Sequence, residues 1–296
     1  MNSRICFLLI TLFSFSFSGV YAQNTSGKKL NVIIIGAHPD DPEKSGGSAY
    51  LWARDGHNVL LVSVTNGDAG HQSLSSRKLA KIRREEARRA GEAIGVKYIT
   101  LDNHDGFLMP TIKNRLQIVK LIREHQADLV ITHRTNDYHP DHRNTGTLVL
   151  DAAYMVTVPK VLPKVRHLDK NPMFLWMSDG FQYPVKFVPD VAVDIDGVIE
   201  KKMDMYHQHT SQMYEWLPYN RGGLNEVPDT DAERRAWMGE KRKQHSNAEP
   251  FRDKLIEIYG RDRGTKVKYA EAFQDSGYGT KLTKENLYVY FPFLKD

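Results

Sequence analysis

The sequence predicts an α/β protein with a doubly wound, mostly parallel sheet. Short apolar runs, such as residues 32–35 (VIII) and 129–131 (LVI), have the length and composition of buried strands. Longer, more polar segments lie between such runs, and glycines such as Gly56 and Gly95 end two of them. Strands that alternate with helical segments are typical of parallel sheets joined by crossover helices.

The predicted elements alternate regularly from residue 30 to about residue 158. The strands of this part are predicted at residues 32–35, 58–64, 98–101 and 128–132. The helices that connect or follow them are predicted at residues 45–55, 76–94, 112–124 and 140–156. This order predicts strands that lie side by side, with helices covering both faces of the sheet.

The alternation breaks after Pro159. Strand patterns follow at residues 173–177 and 191–195, helix patterns at residues 197–208 and 226–245, and the end of the chain is rich in aromatic residues. We interpret residues 23–296 as a single domain with its core at about residues 30–158. The remaining part, about residues 159–296, is predicted to shape the pocket.

The amino terminus is typical of a signal peptide. Arg4 supplies a positive charge, residues 5–17 form a short apolar and serine-rich stretch, and residues 20–22 (VYA) resemble a cleavage site. We therefore predict cleavage near Ala22 that removes residues 1–22, no membrane span afterwards, and a secreted or periplasmic protein. The only cysteine lies inside this segment, which excludes disulfides and thiolate metal ligands in the mature chain.

Composition narrows the function classes. The chain has 41 Lys and Arg against 36 Asp and Glu, with a formal net charge of +5. This is a mixed surface without a lysine-rich tail or a basic stripe, so binding of nucleic acid is not expected. An apolar fraction of 41% is enough for a sizeable core. The sequence indicates no particular oligomeric state.

Segments rich in histidine and aspartate follow two of the predicted strands. The first, GAHPDD at residues 36–41, comes directly after the strand at residues 32–35. The second, YHPDH at residues 138–142, follows the strand at residues 128–132 and opens a helix. Because α/β folds place their chemistry at the carboxyl ends of strands, we expect the two segments to meet.

The residue types in these segments suit a zinc site. Without cysteine, zinc is bound by imidazole nitrogen and carboxylate oxygen, and catalytic sites leave one position for water. His38 and Asp41 flank the turn after the first strand, and His142 is the natural third ligand. Asp40 points away from its neighbour Asp41, which places a second carboxylate where a general base is needed. The alternative is that the histidines are polar loop residues and the aspartates are helix caps.

Other parts of the sequence extend this pattern. The further features are residues 65–71 (TNGDAGH), Arg83 and Glu86, Ile94-Gly95, Asp105-Gly106, residues 209–212 (HTSQ) and residues 269–273 (YAEAF). Together with HPDD and HPDH they resemble the PIG-L/LmbE-like deacetylases over most of residues 30–275. The resemblance implies a Rossmann-like fold and a zinc-dependent enzyme that removes acetyl groups from N-acetylglucosamine-type amines. One departure is visible: the turn from Asp41 to Gly46-Gly47 is one residue shorter than usual, which leaves the pose of Glu43 open.

The resemblance also implies roles for single residues of the two segments. His38, Asp41 and His142 are implied to bind zinc, with another divalent metal such as Fe²⁺ as an alternative. Asp40 is implied to be the general base. His139 is implied to be the electrophilic or acid group.

Two further residues, Arg83 and Asp105, are implied to contact the substrate. Each also has a structural interpretation: Arg83 lies on a helix whose charged face is mostly ion-paired, and Asp105 can cap a turn with Gly106. For His209, at a helix end, and the aromatic residues at 214–219, structural roles are favoured over sugar binding.

These residues predict a secreted zinc hydrolase that removes an acetyl group from an N-acetylated amino sugar or glycoconjugate. The expected partner is therefore a small molecule or a glycan. Two alternatives stay open: a metal-dependent hydrolase of another small amide or modified glycan, and a non-catalytic carbohydrate-binding relative. Release of acetate separates the prediction from the first alternative. An intact zinc site without turnover of any amide would favour the second.

Overall fold

Seven strands form one sheet at the centre of the structure. In the computed structural model, which describes residues 28–295, the strands are β1 (Asn31–Gly36), β2 (Asn58–Thr65), β3 (Lys97–Asn103), β4 (Leu129–Thr132), β5 (Met173–Met177), β6 (Val191–Asp194) and β7 (Ala270–Gly279). Their spatial order is β3-β2-β1-β4-β5-β7-β6. The signal peptide predicted at residues 1–22 lies outside the described residues.

The sheet is parallel except at one strand. β1 pairs with β2 and β4, β2 with β3, and β4 with β5, all in parallel. β7, the last strand in the chain, is antiparallel to both β5 and β6. The chain leaves β1 toward β2 and β3 and later returns to β4 on the other side of β1. The carboxyl ends of β1 and β4 therefore flank the switch point at which doubly wound sheets bind their ligands.

Helices pack on both faces of this sheet. Within residues 28–295 the α-helices are α1 (Gly46–Arg54), α2 (Ser76–Glu92), α3 (Ile112–Glu124), α4 (Pro140–Met155), α5 (Ile199–Gln208), α6 (Leu217–Asn220), α7 (Asp231–Lys243), α8 (Arg252–Tyr259), α9 (Arg261–Gly264) and α10 (Leu287–Tyr290). Short 3₁₀ turns lie at Pro42–Ser45, Asp196–Val198, Leu224–Glu226, Gln244–Ser246, Glu249–Phe251 and Pro292–Lys295, and a π-helical turn at Ser211–Trp216. No helix of this described part combines the length and the apolar character that crossing a membrane requires.

The two faces of β1 bury alternate residues of a single apolar run. Val32 and Ile34 pack in a cluster with residues of α1, α2 and α5, whereas Ile33 and Ile35 pack in a cluster with residues of α3 and α4. All four side chains are fully buried. Side chains alternate between the faces of a strand, so a run that is apolar at every position is explained by burial on both faces. The result is a sheet between two helical layers, with the ends of β1 and β4 at its centre.

The predicted fold class is confirmed: the structure is a mixed α/β fold around a mostly parallel sheet. Up to residue 158 every predicted strand and helix is present, with ends that differ by at most two residues. The helix predicted at residues 45–55 is preceded by the 3₁₀ turn at Pro42–Ser45.

The prediction is less complete for the second part of the chain. β5, β6 and α5 lie where they are predicted, but the helix predicted at residues 226–245 is limited to α7. This helix begins at Asp231 because the Thr230 hydroxyl accepts the backbone N–H of Glu233 as an N-cap, and Pro228 lies just before it. β7 and α8 lie outside the prediction.

Candidate active site

The turn after β1 holds Asp41 against the end of its own strand. Its Oδ2 atom accepts the backbone N–H groups of Ala37 (3.1 Å) and His38 (2.8 Å). Gly36 permits this approach, because a Cβ at that position would come within 2.5 Å of Asp41 Cβ and 2.7 Å of Pro42 Cδ. The close turn therefore fixes the Asp41 carboxylate in one position.

Three buried imidazoles surround this carboxylate. Its Oδ2 atom lies 3.3 Å from Nδ1 of His38, Nε2 of His133 and Nε2 of His142. The rings of His133 and His142 are stacked, with their centroids 4.1 Å apart. Burial alone would raise the pKa of Asp41, but His142 and His133 outweigh it and hold that pKa well below its usual range. Asp41 is therefore ionised, which is the form that binds a metal ion.

The start of α4 orients His142. Its Nδ1 atom lies 2.9 Å from Oδ1 of Asp137, and the same oxygen accepts the backbone N–H of His139 at 3.1 Å. Burial opposes the ionised form of Asp137, but the hydrogen bond with His142 prevails and lowers the pKa of Asp137 to about 2. A carboxylate that accepts the Nδ1 proton leaves the lone pair of Nε2 free for a metal ion.

His139 is the N-cap of α4. Its Nδ1 atom accepts the backbone N–H of Asp141 at 3.2 Å, so the proton of the neutral ring is on Nε2. Burial, together with His38 and His142, lowers the pKa of His139. The rings of His139 and His38 have their centroids 4.5 Å apart. At neutral pH, His139 is thus an uncharged N–H donor at the edge of the histidine cluster.

The loop after β3 closes the other side of His38. Oδ1 of Asp105 and Oδ2 of Asp141 lie 3.1 and 3.3 Å from Nε2 of His38. Asp141 also accepts the backbone N–H groups of Gly106 (2.7 Å) and Leu108 (3.3 Å), which fastens this loop to α4. Burial disfavours a charged imidazole, but the carboxylates outweigh it and hold the pKa of His38 well above its usual value. Asp105 therefore lies beside the predicted ligand His38.

Asp40 lies next to this cluster but makes different contacts. Its φ of 103° is strained for a residue with a side chain, and such strain is concentrated at functional sites. Its Oδ2 atom is 3.5 Å from Nε2 of Gln212 and 3.9 Å from Nη2 of Arg242. Burial and the charge of Asp41 raise the pKa of Asp40. A carboxylate with a raised pKa and only long contacts is suited to accept a proton.

Several combinations of these side chains have the spacing of a metal site. Three groups have ligand atoms that all lie within 4.8 Å of one another: His38–His139–His142, Asp41–His133–His142 and His38–Asp105–Asp141. The predicted ligands His38, Asp41 and His142 draw on the first two groups. His133 is the weaker candidate, because its Nε2 atom already accepts the backbone N–H of Ala37 at 3.1 Å. Buried imidazoles and a carboxylate fit a divalent metal, and the choice among them stays a prediction.

Arg83 is buried beneath the loop that follows β2. Its guanidinium donates to the carbonyls of Gly67 (2.8 Å) and Gly70 (2.6 Å) and to the side chain of Gln212. Its Nη1 atom also lies 3.8 Å from Oδ2 of Asp105. Arg83 thus connects the loop after β2 with residues on either side of the site. Its contact with substrate stays a prediction.

Two residues of the cluster, His133 and Asp137, lie outside the sequence-based prediction. His133 directly follows β4, as the GAHPDD segment follows β1, so its position at a strand end is a usable signal. Burial and the neighbouring His142 lower the pKa of His133 to about 3, which keeps this ring uncharged. Asp137 lies five residues before His142 and belongs to no recognisable pattern.

A buried polar network under the turn determines the pose of Glu43. Nε2 of His209 lies 2.6 Å from Oε1 of Glu43, and the Tyr98 hydroxyl donates to Oε2 at 3.4 Å. Nearby, Ser211 donates its backbone N–H (2.8 Å) and its hydroxyl (2.7 Å) to Glu86. These contacts direct Glu43 into the core rather than toward the cleft. Both His209 and Glu43 are fully buried, so the structural interpretation of His209 agrees with its position.

β7 reaches back to α1, the helix that follows the turn after β1. The carboxylate of Glu271 accepts the backbone N–H groups of Gly47 (2.9 Å) and Ser48 (2.8 Å) at the start of α1. Lys202 forms an ion pair with Glu271 at 2.9 Å. A Cβ on Gly47 would come within 2.8 Å of Ile195, so the glycine allows this close packing. Through Glu271, the segment YAEAF therefore connects β7 to the start of α1, next to the site.

A cleft of about 720 Å³ opens beside the turn after β1, and its volume is within the size range of small-molecule sites. Tyr138, whose ring centroid is 5.2 Å from that of His142, lines it, as does Arg242, which approaches Asp40. Most other lining residues belong to the second part of the chain, including Asp179, Phe181, Lys186, Phe187, Tyr206, His245 and Phe251. The carboxyl-terminal part thus supplies most of the pocket wall.

Comparison with known proteins shows the family to which the chain belongs. The family model described as GlcNAc-PI de-N-acetylase (PIG-L) matches residues 33–153. The chain is 32% identical over 204 residues to diacetylchitobiose deacetylase of Thermococcus kodakarensis. This alignment covers 64% of this chain and 74% of that protein. The chain therefore belongs to the PIG-L/LmbE-like family, and the predicted resemblance is confirmed.

Solved structures share the fold. N,N'-diacetylchitobiose deacetylase from Pyrococcus horikoshii, in complex with its inhibitor MPG, superposes with a TM-score of 0.60 at 26% identity, covering 82% of each chain. GalB, the 4-carboxy-2-hydroxymuconate hydratase from Pseudomonas putida, superposes with a TM-score of 0.63 at 21% identity, covering 87% of this chain and 99% of that one. At that identity GalB shows the shared fold alone, so the reaction has to be argued from the site.

Proposed function

We propose that the protein is a secreted, metal-dependent N-deacetylase of an N-acetylated amino sugar or glycoconjugate. One observation carries the proposal: His38, Asp41 and His142 converge at the ends of β1 and β4, with the strained Asp40 beside them. The similarity to diacetylchitobiose deacetylases supports the same reaction. The proposed products are acetate and the free amine.

The proposed metal is zinc, with Fe²⁺ as the alternative. His38, Asp41 and His142 would hold it, because Asp137 leaves Nε2 of His142 available and Asp41 is ionised. A bound divalent metal supplies Lewis-acid polarisation of the amide carbonyl and acidifies water. His133, with its Nε2 occupied by a backbone N–H, is assigned to packing against His142 rather than to metal binding.

The chain's own residues supply the proton transfers. Asp40 accepts a proton from the attacking water, for which its raised pKa is suited, and returns it to the leaving amine. His139 donates a hydrogen bond from its Nε2–H to the developing oxyanion. It keeps this proton, so the charge of the imidazole does not change. This role follows from the N-cap bond that keeps Nδ1 free of a proton and from the lowered pKa of the ring. These two observations support the electrophilic role of His139 over the acid role.

Substrate positioning is assigned to Asp105 and Arg83, as the family resemblance implies. Asp105 lies 3.1 Å from His38, so a group bound by Asp105 lies next to the metal ligands. Arg83 acts through the loop carbonyls that it binds and through its approach to Asp105. The aromatic side chains of the cleft offer faces on which a sugar ring can stack.

Acetate release is the direct test. The mature chain, residues 23–296, is loaded with zinc or Fe²⁺ and incubated with N-acetylglucosamine, chitooligosaccharides and other N-acetylglucosaminides. We expect equal amounts of acetate and primary amine, none from the metal-free protein, and little from Asp40→Asn. Release of an amine without acetate would identify a different amide hydrolase. No amine from any substrate, with metal bound, would contradict catalysis.

Secretion is a separate part of the proposal. It rests on the charge of Arg4, the apolar residues 5–17 and the cleavage pattern at residues 20–22. Sequencing the amino terminus of the protein recovered outside the cytoplasm should give a start near residue 23. Recovery of protein that retains Met1 only from the cytoplasm would contradict it.

A further inference from the structure

The cleft beside the turn that carries Asp40 and Asp41 has more positive than negative charge in its lining. Lys44, Lys186 and Arg242 line it together with Lys202. The acidic residues of its lining are Asp179 and Glu271, and both are already neutralised. Glu271 pairs with Lys202 at 2.9 Å, and Asp179 forms two hydrogen bonds of 2.6 Å with Arg134. Lys44, Lys186 and Arg242 are therefore left without a carboxylate from the cleft wall.

The ion-pair contacts of these three cations are long or absent, although Arg242 also stacks over Tyr206 and donates to Sδ of Met213. Nζ of Lys44 is 3.9 Å from Oδ1 of Asp41, and Nη2 of Arg242 is 3.9 Å from Oδ2 of Asp40. Within residues 28–295, Lys186 has no ion pair and its side chain is exposed. Charges at such distances leave hydrogen-bonding capacity for a further anion.

The loop that carries Lys186 is held in place. Arg134, which is buried, donates to the carbonyls of Val185 (2.7 Å) and Phe181 (2.9 Å) in addition to its bonds with Asp179. Arg134, which directly follows His133 at the end of β4, is therefore the buried anchor that sets the position of Lys186. A charge on an anchored loop loses less conformational freedom on binding than one on a free loop.

Two polar features inside the cleft also point to a ligand. The Ser246 hydroxyl is buried and has no hydrogen-bond partner in the described part of the chain, although it belongs to the cleft wall. Buried hydroxyls are normally paired, so this group is available to a bound molecule. Next to it, burial and the charges of Arg242 and Arg221 lower the pKa of His245, as expected where cations dominate.

We propose that this cleft binds an anionic group, a carboxylate or a phosphate, on the part of the substrate remote from the acetamido group. The proposal rests on the proposed deacetylase function and specifies its substrate class: acidic N-acetylated glycosides rather than neutral ones. Lys186 and Lys44 supply the charge, and Ser246 supplies a neutral hydrogen bond. Arg242 lies between this anion site and Asp40.

Matched substrates test the proposal. Three β-glycosides of N-acetylglucosamine with a 3-hydroxypropyl, a 3-carboxypropyl and a 3-phosphopropyl group differ only in the remote charge. We expect kcat/KM for at least one charged glycoside to exceed that of the hydroxypropyl glycoside by about tenfold at low salt, and the gain to shrink in 0.5 M NaCl. The carboxypropyl and phosphopropyl arms decide which anion is preferred.

Variants locate the effect. Lys186→Gln should lower the preference for the charged glycoside about fivefold and leave kcat/KM for the hydroxypropyl glycoside unchanged, because Lys186 touches no predicted catalytic residue. Lys186→Glu should lower the preference for the charged glycoside further. Lys164→Gln, an exposed lysine outside the cleft, is the matched control and should change neither value. Calorimetric binding of the charged and neutral glycosides to the metal-free protein gives a readout that does not need turnover.

The outcomes separate the two proposals. Deacetylation of all three glycosides with equal kcat/KM would overturn the anion site and leave the deacetylase function intact. No deacetylation of any of them, with metal bound, would count against the deacetylase function. Tighter calorimetric binding of a charged glycoside, reduced by Lys186→Gln, would still support the anion site in that case, and equal binding would overturn it.

Discussion

The two parts of the chain contribute to the site in different ways. Residues 28–158 supply every side chain predicted to bind metal, move protons or contact substrate, and all of them except Arg83, in the middle of α2, lie near strand ends or helix starts. Residues 159–295 supply most of the cleft wall, from loops and from helices that meet only in the folded molecule. The first part holds its geometry by hydrogen bonds among buried groups, whereas the second part presents charged and aromatic side chains to the cleft. Substitutions should therefore abolish the reaction in the first part and retune substrate preference in the second.

The largest effect is expected from removing a metal ligand. His142→Ala reduces the predicted ligands from three to two, so the protein should lose most of its metal and its turnover should fall to that of the metal-free chain. Elemental analysis of purified protein and acetate release measure the two effects. His167→Ala, which removes a histidine outside the cluster, should keep both. Full metal content in His142→Ala would remove His142 from the ligand set.

Loss of the base should separate chemistry from metal binding. Asp40→Asn should keep the metal and lower kcat about 10²–10⁴-fold, because the amide cannot accept the proton of the attacking water. The comparison variant is Asp41→Asn, which should lose the metal. If the two variants behave the other way round, the roles of the two aspartates are exchanged.

A smaller loss is expected at the helix N-cap. His139→Ala should lower kcat about 10²–10³-fold with metal content unchanged, as removal of a single oxyanion donor does. Because the pKa of His139 is lowered, its ring stays uncharged above neutral pH, so wild type and variant should share the same alkaline limb of the pH–rate profile. Metal loss in this variant would make His139 a ligand, as the group His38–His139–His142 allows. If the alkaline limb of the pH–rate profile disappears in His139→Ala, His139 acts as a general acid instead.

The smallest effect should come from the cleft wall. Phe181 lies near-parallel to Tyr138, with ring centroids 6.3 Å apart, and lines the cleft. Phe181→Ala should raise KM for a glycoside about threefold to tenfold with kcat unchanged, since a lost aromatic contact is worth about 0.5–1.5 kcal/mol. Phe107→Ala, at a side chain that is 78% exposed, is the control. A large fall in kcat for Phe181→Ala would mean that the wall also positions the reacting amide.

The same division explains what the sequence predicts. The run at residues 32–35 predicts β1 because every position is apolar, and the strand end then locates His38 and Asp41. His133 follows β4 in the same way, but it lies five residues before Tyr138, the first residue of the recognisable segment YHPDH, and carries no pattern of its own. The role of Asp137 depends on how the first turn of α4 places His142. The spacing of these two residues in the sequence does not indicate that they are in contact.

The second part resists prediction for a physical reason. β7 (AEAFQDSGYG) contains Gly, Asp and Ser, which are poor strand formers, and it is stabilised by pairing with two strands that are distant in sequence. The charges of the cleft come from loops whose approach depends on anchors such as Arg134. Local sequence carries little information about such contacts, and the direction of Glu43 likewise depends on His209, far along the chain.

The position of β7 also makes the completion of the sheet depend on a late segment of the chain. It is the last strand to be synthesised, yet it lies between β5 and β6 in the sheet. Without β7, β6 has no partner in this sheet, β5 pairs only with β4, and the start of α1 lacks its cap from Glu271. Pairing between such distant segments is slow because a long loop must close first. A chain truncated before β7 would therefore keep the histidines and aspartates of the site but would lack the strand that joins β5 to β6 and the cap that Glu271 provides at the start of α1.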